Sequence, residues 1–595
     1  MPERDDKGWD FYLRTLSNSS RDSNTANDPA SDPSLLHSVK KLYEICKSKN
    51  SEDLVARVYP HVNKIFHRAV ASRSQSRTSN GLLLLAILQF FLDFGEVVLH
   101  DADPSLRTFF RSCLSREFAD PVVAEATVEF IVSNKKKLLS SFPNLLPQFF
   151  PLLLKLIAWN GERLEKQFSK AFPGLMSPGS FIPLFPYLID LPILVVALER
   201  VEKSSGPLIG NSIASIQQNT APKMLLALMD EAYTGSTIED GGGDFESDDN
   251  SAIDVSDPLF LELLKDENDG IAERPWSSPV MATLLQAAAN SPYSDRLKAV
   301  LSMAPHLLDV YFSIALRDVN DSLICALIPL LMSRFATIFP DKVFSYEVRN
   351  RLLEFMLSTF QHSPNFIALL KKPIMDRLGE AYDSPEKTEL ALQLCWAIGE
   401  HGGGGESHKD EARELFESLE LLLYENLSSS RLGMTQEVSL GPDKNNYRRS
   451  SQSRLLCFVI TAISKLATHH RELAPRARVS LGKVARSRIS DVRVWRRACD
   501  FLALMNDPAI CASILGPSRS STGKVGSINW NEGATKMIAH VPFYILGEQE
   551  GEKCFPFILI GYSFQGRRLM IFHSQISFQG GDESYCIPLG QFDQY

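Results

Sequence analysis

The residues best suited to chemistry in this sequence lie in two glycine-rich stretches. Residues 516–525 carry Gly516, Gly523 and Lys524 in the order of a phosphate-binding loop. Such a loop needs its glycines five positions apart and a Ser or Thr directly after the lysine. Here the glycines are seven positions apart and Val525 follows the lysine. The stretch is therefore predicted to be a Ser/Gly-rich linker, and no nucleotide cofactor is expected.

The second stretch places two histidines around a run of glycines. His401 and His408 flank residues 402–405, all glycine, and three acidic residues are close by: Glu400, Glu406 and Asp410. Histidine and carboxylate side chains are common zinc ligands. A polyglycine loop does not hold ligands in place, however, and the His-Glu-x-x-His spacing of a zinc-binding helix is absent. These residues are interpreted as a solvated loop, and no metal site is predicted.

Nucleophilic catalysis is not indicated either. The sequence has no Gly-x-Ser-x-Gly motif, and its nine cysteines are scattered singly without a Cys-x-x-Cys pair, unlike zinc sites or disulfide frameworks. His469-His470 occupy the polar end of a predicted helix and are interpreted as exposed surface. The sequence therefore predicts a non-enzymatic protein that acts by binding other proteins.

One region has a local excess of positive charge. Residues 444–497 hold 14 Lys or Arg residues against Glu472 and Asp491, in a chain of formal net charge −9. Such a region attracts an acidic partner segment or an anionic membrane surface. The candidate partner-facing or membrane-facing residues are Arg476, Arg478, Lys483, Arg486, Arg488, Arg493, Arg496 and Arg497. Solvated helix faces, or ion pairs with acidic neighbouring helices, explain the same pattern equally well, so both interpretations stay open.

Charge also bears on regulation and on nucleic-acid binding. Arg448-Arg449 precede Ser450 and Ser451 in the pattern favoured by basophilic kinases. Phosphate at either serine would offset part of the local positive charge. The chain as a whole is acidic, whereas nucleic-acid-binding domains are strongly basic, so no nucleic-acid partner is predicted.

The elements that must position these residues are helices. From about residue 35 to 515, apolar residues recur at helical spacing, for example at Leu455, Val459, Ile463 and Leu466. The apolar stripes are often nearly two-sided, which suits helices packed between neighbours. The longest apolar run, residues 82–92, is about half the roughly 20 residues that a membrane span needs. The predicted fold is an all-α α-solenoid of HEAT-like helix pairs.

Composition divides the chain further into helical and non-helical parts. Residues 1–34 are predicted to be a disordered tail, because they are charged and then rich in Ser, Asn and Asp. The other predicted parts are a first solenoid half (35–236), an acidic Gly-rich linker (237–257), a second solenoid half (258–515), a flexible linker (516–529) and a segment of uncertain structure (530–595). Within the last part, residues 555–564 and 568–578 have the composition of a β-hairpin.

Several segments of the predicted solenoid resemble one known family. They are Ser-Phe-Pro-Asn-Leu at 141–145, Leu-Leu-Lys-Leu-Ile-Ala-Trp-Asn at 153–160, Leu-Ile-Asp-Leu-Pro at 188–192 and Trp-Ala-Ile-Gly-Glu at 396–400, with support from 415–425, 461–467 and 473–477. Together they resemble the zeta large subunits of the fifth adaptor-protein complex, AP-5, over about residues 120 to 515.

The Trp396, Gly399 and Glu400 element is also similar to one in the trunks of other adaptin and coatomer large subunits. The residue types indicate structural roles. Trp396 can fill the space between helices, Gly399 allows close approach or helix termination, and Glu400 can contact polar groups. None of the three is a candidate catalytic residue.

The resemblance implies a biological setting that composition does not give. It implies pairing with the beta, mu and sigma subunits of AP-5, association with spatacsin and spastizin, and a cytoplasmic location with peripheral attachment to late endosomes and lysosomes. The implied function is vesicle-mediated protein transport. Helical periodicity alone leaves open a HEAT-type scaffold or carrier outside vesicle trafficking, such as a nuclear-transport or phosphatase regulatory scaffold.

Overall fold

The protein is described by a computed structural model, and every regular element within the residues that it describes is a helix. The described residues are 3–21, 33–71, 80–205, 209–215, 262–268, 285, 293–363, 365–383, 387–402, 409–432, 442–487 and 491–515. The helices in these ranges confirm the all-α prediction. Contacts between residues group the chain into two compact units, Met1–Met356 and Leu357–Tyr595.

The first unit contains the following helices in chain order, with residues 206–294 between the helix that ends at Ser205 and the one that begins at Asp295. They are α1 (Glu3–Arg21), α2 (Pro33–Lys49), α3 (Glu52–Ala71), α4 (Gly81–Phe94), α5 (Ala102–Thr108), a π-helix (Phe109–Leu114), α6 (Ser115–Glu117), α7 (Pro121–Ser133), α8 (Lys135–Ser141), α9 (Leu145–Gln148), α10 (Phe150–Ala171), a 3₁₀ turn (Phe172–Leu175), α11 (Phe181–Ile189), α12 (Leu191–Ser205), α13 (Asp295–Asp318) and α14 (Asp321–Arg334). Helix α15 (Lys342–His362) contains the boundary between the units.

The second unit continues in the same way. Its helices are α16 (Asn365–Leu369), α17 (Lys371–Asp383), α18 (Thr388–His401), α19 (Lys409–Leu432), α20 (Pro442–His469), a 3₁₀ turn (Arg471–Leu473), α21 (Ala474–Arg486), α22 (Val492–Leu504) and α23 (Pro508–Leu515).

Most helices pack on others near them in the order of the described helices. In the first unit α1 packs on α2 and α3, α7 on α4 and α10, and α13 on α10 and α12. In the second unit α20 packs on α18, α19 and α22, and α21 packs on α22. Helices with neighbours on two sides need apolar residues on more than one face, which explains the wide stripes in the sequence. This is the predicted α-solenoid of helix pairs.

Helix α13 shows how the sequence sets a helix and buries it. Ser294 precedes the helix, and its hydroxyl accepts a hydrogen bond from the Leu297 amide at 3.0 Å, which satisfies an amide of the first turn. By length and composition α13 is apolar enough to cross a membrane, and the bent pairs α11–α12 and α22–α23 pass the same test if each counts as one span. In α13, 56% of the most apolar window is buried inside the protein. Packing on α10 and α12 therefore accounts for much of its apolar character.

The first residues are helical, contrary to the disordered tail predicted for residues 1–34. Helix α1 packs on α2 and α3, and its Trp9 and Leu16 are 5% and 0% exposed. Ser20 Oγ also lies 3.1 Å from His61 Nδ1, within hydrogen-bonding distance. The prediction is wrong for residues 3–21 because Trp9, Tyr12 and Leu16 recur at helical spacing and bury one face despite polar surroundings.

Other sequence predictions fall outside the described residues. These are the tail residues 22–32, the acidic stretch 237–257, the linker 516–529, the possible hairpin within 530–595, and the loop residues 403–408. The division of the solenoid into 35–236 and 258–515 stays a prediction. Residues 262–268 are described, and Leu263 and Leu264 within them are buried.

A buried ion pair holds the junction between α11 and α12. Asp190 lies between these helices, and its Oδ1 accepts a hydrogen bond from Arg334 Nη2 of α14 at 2.5 Å. Both side chains are almost completely buried, at 1% and 2% exposure. Removing one partner of such a pair leaves an uncompensated charge in the interior. The Asp190 segment that carries part of the family resemblance therefore has a structural role.

Candidate interaction surface

The Trp396–Glu400 element lies where α18 packs against α20. Gly399 faces α20 so closely that an added Cβ would lie 3.0 Å from Lys465 Cδ and 3.2 Å from Ala462 Cα. Ala462 contributes backbone there, which cannot move aside as a flexible side chain can. Glycine therefore permits the close approach of the two helices.

Lys465 joins the other two residues of the element. Its side chain is 1% exposed, its ammonium group forms an ion pair with the Glu400 carboxylate, and Nζ lies 3.5 Å from the centre of the Trp396 ring. The pair supplies the countercharge and the ring the electron-rich face that a buried cation requires. All three residues of the element are therefore used to pack α18 on α20.

The histidines near this contact are partly buried, and Glu400 and His401 end helix α18, so the interpretation of these two residues as a solvated loop is wrong. Burial lowers the pKa of His401, and it lowers the pKa of His469 to about 4. Both imidazoles are thus neutral at neutral pH. His470 is 7% exposed, so the interpretation of His469-His470 as exposed surface is wrong. Within the described ranges no group of three His, Cys, Asp or Glu side chains is arranged to hold a metal ion.

Part of the basic region points into the protein. Arg497 is 3% exposed, donates to Thr461 Oγ1 at 3.1 and 3.2 Å and lies 4.2 Å from the centre of the Phe501 ring. Arg493 pairs with Asp491 and donates to Ser450 Oγ at 3.2 Å. Arg497 therefore stabilises the contact of α22 with α20 and cannot face a partner, while Arg493 is occupied within the unit.

Arg476 of the basic region forms polar contacts between α19 and α21. Arg476 forms ion pairs of 2.6 Å with both Glu417 and Glu420 of α19. Ser480 donates to the Glu420 carboxylate, and Tyr424 Oη lies 2.9 Å from Ser480 Oγ. Acidic neighbours thus neutralise this part of the region, as one of the two interpretations of the sequence requires.

The remaining basic residues of α21 lie on its solvent side. Lys483 and Arg486 are exposed, and they share a face with exposed Val479 because the spacing is i, i+4 and i+7. Lys483 Nζ lies 4.4 Å from the centre of the Tyr424 ring. The indole of Trp495, which is 44% exposed, donates to Ala485 O at 3.1 Å and so borders this face. We call Val479, Lys483, Arg486 and Trp495 the α21–α22 surface.

The other candidate residues have mixed positions. Arg478 is exposed and donates to Met505 O at 2.5 Å. Arg496 is exposed on α22, and Arg488 lies outside the described residues. The candidate phosphorylation sites are within helix α20, where Ser451 is 4% exposed and Ser450 contacts Arg493. Phosphorylation of Ser451 would require local opening of this helix.

Comparison with known proteins identifies the family. A family model described as "AP-5 complex subunit, vesicle trafficking" matches residues 30–155. A second, described as "AP-5 complex subunit zeta-1, C-terminal TPR repeats", matches residues 255–534. The two matches occur in chain order and together cover more than half of the sequence. The chain belongs to the AP-5 zeta subunit family. TPR repeats, like the predicted HEAT-like repeats, are stacked helix pairs.

Individual relatives agree with this family. The chain is 24% identical to AP-5 complex subunit zeta-1 of Mus musculus over 468 residues and to that of Homo sapiens over 465 residues. Each alignment covers 76% of this chain and 52% of the relative, so the chain spans about half the length of the curated relatives it matches. A structure titled "Homology model of the full-length AP-3 complex in an intermediate open conformation" is 12% identical, with 83% and 81% of the two chains covered and a TM-score of 0.19. Such a low score supports no structural argument.

Sequence reasoning missed the central role of Lys465 in this AP-5 zeta-family chain. The charge count of the basic region includes Lys465, although it lies beside the apolar residues Ala462, Ile463 and Leu466 of the same helix. A lone lysine on a buried helix face signals a buried ion pair, because a lysine is rarely fully buried without a partner. The same signal marks Lys155, which stands in the apolar run of residues 152–158.

Proposed function

We propose that this chain is a non-enzymatic scaffold subunit of an AP-5-type adaptor complex. It pairs with the beta, mu and sigma subunits, associates with spatacsin and spastizin, and is cytoplasmic with peripheral attachment to late endosomes and lysosomes. There it supports vesicle-mediated protein transport. The observation that carries this proposal is the match of two AP-5 family models in chain order.

The packing of the polar residues supports a scaffold role. The residue types that could perform chemistry, including Glu400, Lys465 and His469, are used where α18 packs on α20. Their pairing satisfies groups that burial would otherwise leave uncompensated. A scaffold uses such contacts to hold its helices in register while its surface binds partners.

Affinity purification tests the proposed assembly. The tagged chain is purified gently from cells of the organism that makes it. Medium and small adaptin-like chains, a beta-type large chain, and spatacsin-like and spastizin-like proteins should be recovered with it. A tagged helical scaffold of similar size from another pathway serves as the control. Recovery of nuclear-transport or phosphatase components instead, together with staining of the nuclear rim, would contradict the proposal.

The α21–α22 surface is the proposed contact for an acidic segment of a partner subunit. It combines two exposed cations with exposed Val479 and Trp495, and interface cores favour aromatic residues next to Arg. A double charge reversal, Lys483→Glu with Arg486→Glu, should weaken recovery of one partner and leave helical content unchanged. The matched control is Arg163→Glu with Lys166→Glu, two exposed cations at the same i, i+3 spacing on α10.

The outcomes of this test separate three interpretations. Loss of one partner from the Lys483/Arg486 variant, but not from the control, supports the protein contact. Unchanged partners with reduced flotation on phosphatidylserine vesicles would assign the surface to a membrane. Unchanged behaviour in both assays would leave solvated helix faces as the explanation.

A further inference from the structure

A groove in the first unit holds residues 262–268 of the same chain in the manner of a bound peptide. These residues form only a short helical turn and then continue without regular structure. They pack where α9 meets α10, beside the π-helix. Two adjacent leucines anchor the segment, since Leu263 and Leu264 are 2% and 0% exposed.

Main-chain contacts fix the position of this segment. The Leu152 amide, in the first turn of α10, donates to Asp266 O at 3.2 Å, and the Asn268 amide donates to Gln148 O at 2.7 Å. Helix ends leave such amides and carbonyls without intrahelical partners. The junction of α9 and α10 therefore offers unpaired backbone groups to an extended chain, as peptide-binding grooves do.

Side chains of the groove select for acidic residues. Lys155, which is fully buried, donates to Leu264 O and lies 2.7 Å from Asp266 Oδ1. Arg111 of the π-helix contacts both carboxylate oxygens of Glu267, at 2.5 and 3.0 Å. Gln148 also donates to Glu267 at 2.6 Å. Bidentate contacts between Arg and a carboxylate add geometric specificity to charge.

The burial of Lys155 means that the groove requires an acidic occupant. Burial lowers the pKa of Lys155, and Asp266 opposes this change. Among the described residues, the polar partners of its ammonium group are Leu264 O and Asp266 Oδ1, both within residues 262–268. A buried ammonium without a countercharge is strongly unfavourable. Whatever fills this groove must therefore supply a carboxylate two residues after a buried leucine.

We propose that this groove is a peptide-recognition site and that residues 262–268 are its exchangeable intramolecular ligand. A partner protein with the same chemistry, two adjacent leucines followed after one residue by two acidic residues, binds in their place. The occupant is recognised through the burial of its two leucines and through its contacts with the Lys155 ammonium and the Arg111 guanidinium. This inference does not depend on the proposed adaptor function, because it concerns contacts within the first unit alone.

A labelled synthetic peptide of residues 262–268 tests the proposal on the full chain. In the variant Leu264→Asp, a carboxylate at a fully buried position should displace the intramolecular segment. Fluorescence anisotropy should show at least tenfold tighter peptide binding to this variant than to the unmodified chain. Adding Arg111→Glu should weaken that binding at least tenfold, and a peptide with Glu267→Arg should restore it. Adding Arg163→Glu instead should have no effect.

A second variant guards against simple misfolding. Glu267→Arg in the full chain alters a side chain that is 24% exposed and removes only its pairing with Arg111 and Gln148. If Leu264→Asp lowers helical content, peptide binding is measured on the Glu267→Arg chain, where a smaller gain over the unmodified chain is expected because the Lys155–Asp266 pair remains. Absence of binding to a fully helical variant, or loss of helical content in both variants, would show that the segment is a permanent part of the core and would overturn the proposal.

Discussion

Lys155 in the first unit and Lys465 in the second are both 1% exposed in their side chains, yet they are stabilised in different ways. Lys465 pairs with Glu400 and lies over Trp396, both on the neighbouring helix α18. Lys155 pairs with a short segment more than 100 residues away in sequence. A buried lysine can thus lock two helices together or hold a separate segment. The difference lies in the element that supplies the countercharge.

Removing the buried lysines should give the largest effects. Lys465→Met leaves Glu400 without its cation, so the free energy of unfolding of the second unit should fall by about 3 kcal/mol. Native-state hydrogen exchange of amides in α18 and α20 measures this change. The double variant Lys465→Met with Glu400→Gln should recover part of the loss, and absence of any recovery would contradict the ion-pair explanation.

Lys155→Met should have a local effect instead. We expect faster amide exchange within residues 262–268 and in the first turn of α10, where Leu152 donates to Asp266, and little change in α13. Exchange mass spectrometry resolves these peptides. Lys465→Met is expected to loosen the packing of two whole helices, α18 and α20. If Lys155→Met likewise raised amide exchange throughout the first unit, the two lysines would have the same role, which would contradict the comparison.

Acid should weaken the Lys465 contact through His469. Burial lowers the pKa of His469 to about 4 in the folded protein from its ordinary 6.5, so between these values the unfolded chain binds a proton that the folded chain does not. Stability should therefore fall as the pH drops from about 6.5 to about 4, by about 2 kcal/mol. The charged or titratable groups that act on His469 are Glu400, His470, Lys465 and His401.

Thermal denaturation at pH 7.5 and pH 4.5 checks this prediction. His469→Gln should reduce the difference in melting temperature between the two pH values. An unchanged difference would mean that other groups, not His469, carry the acid sensitivity of this contact.

Gly399 provides a smaller test of the helix contact. An alanine Cβ would lie 3.2 Å from Ala462 Cα, so Gly399→Ala should lower the free energy of unfolding by about 1–2 kcal/mol through overpacking. Gly379 of α17 is the matched control, since no atom lies within 4 Å of an added Cβ. Gly379→Ala should instead raise stability by about 0.5–1 kcal/mol. Chemical denaturation of both variants decides the sign.

Exposed ion pairs should contribute least in both units. Arg111→Ala removes contacts with Glu267, and Arg413→Ala removes contacts with Asp410 and Glu472, in pairs whose side chains are about half exposed on the arginine side. Each should cost less than about 1 kcal/mol in thermal or chemical denaturation. A fall of more than about 2 kcal/mol in the free energy of unfolding of either variant would contradict the expectation that the buried lysines contribute more than exposed ion pairs.

The sequence predicts the fold better than it predicts the surfaces. Helical periodicity is a local property, so the all-α solenoid could be predicted. Helix α1 was missed because the polar composition of residues 17–32 hid the stripe of Trp9 and Leu16. A count of charges along the chain could not show that Arg497 is buried, since its burial depends on contact with Thr461 of helix α20.

The docked segment illustrates a second limit. Lys155 within an apolar run signals a buried charge, but nothing near it in sequence supplies the carboxylate. Asp266 and Glu267 follow the acidic stretch 237–257, so the sequence does not distinguish them from the other acidic residues there. Pairing over such a separation depends on the path of the chain, which periodicity and charge do not encode.

We propose above that this AP-5 zeta-family chain works as one subunit of a protein complex. Native mass spectrometry of the complex purified through the tagged full-length chain tests it most directly. The account predicts one assembly in which a single copy of this chain is bound to one beta, one mu and one sigma subunit. A chain that is recovered alone, or only with proteins unrelated to adaptor complexes, would contradict it.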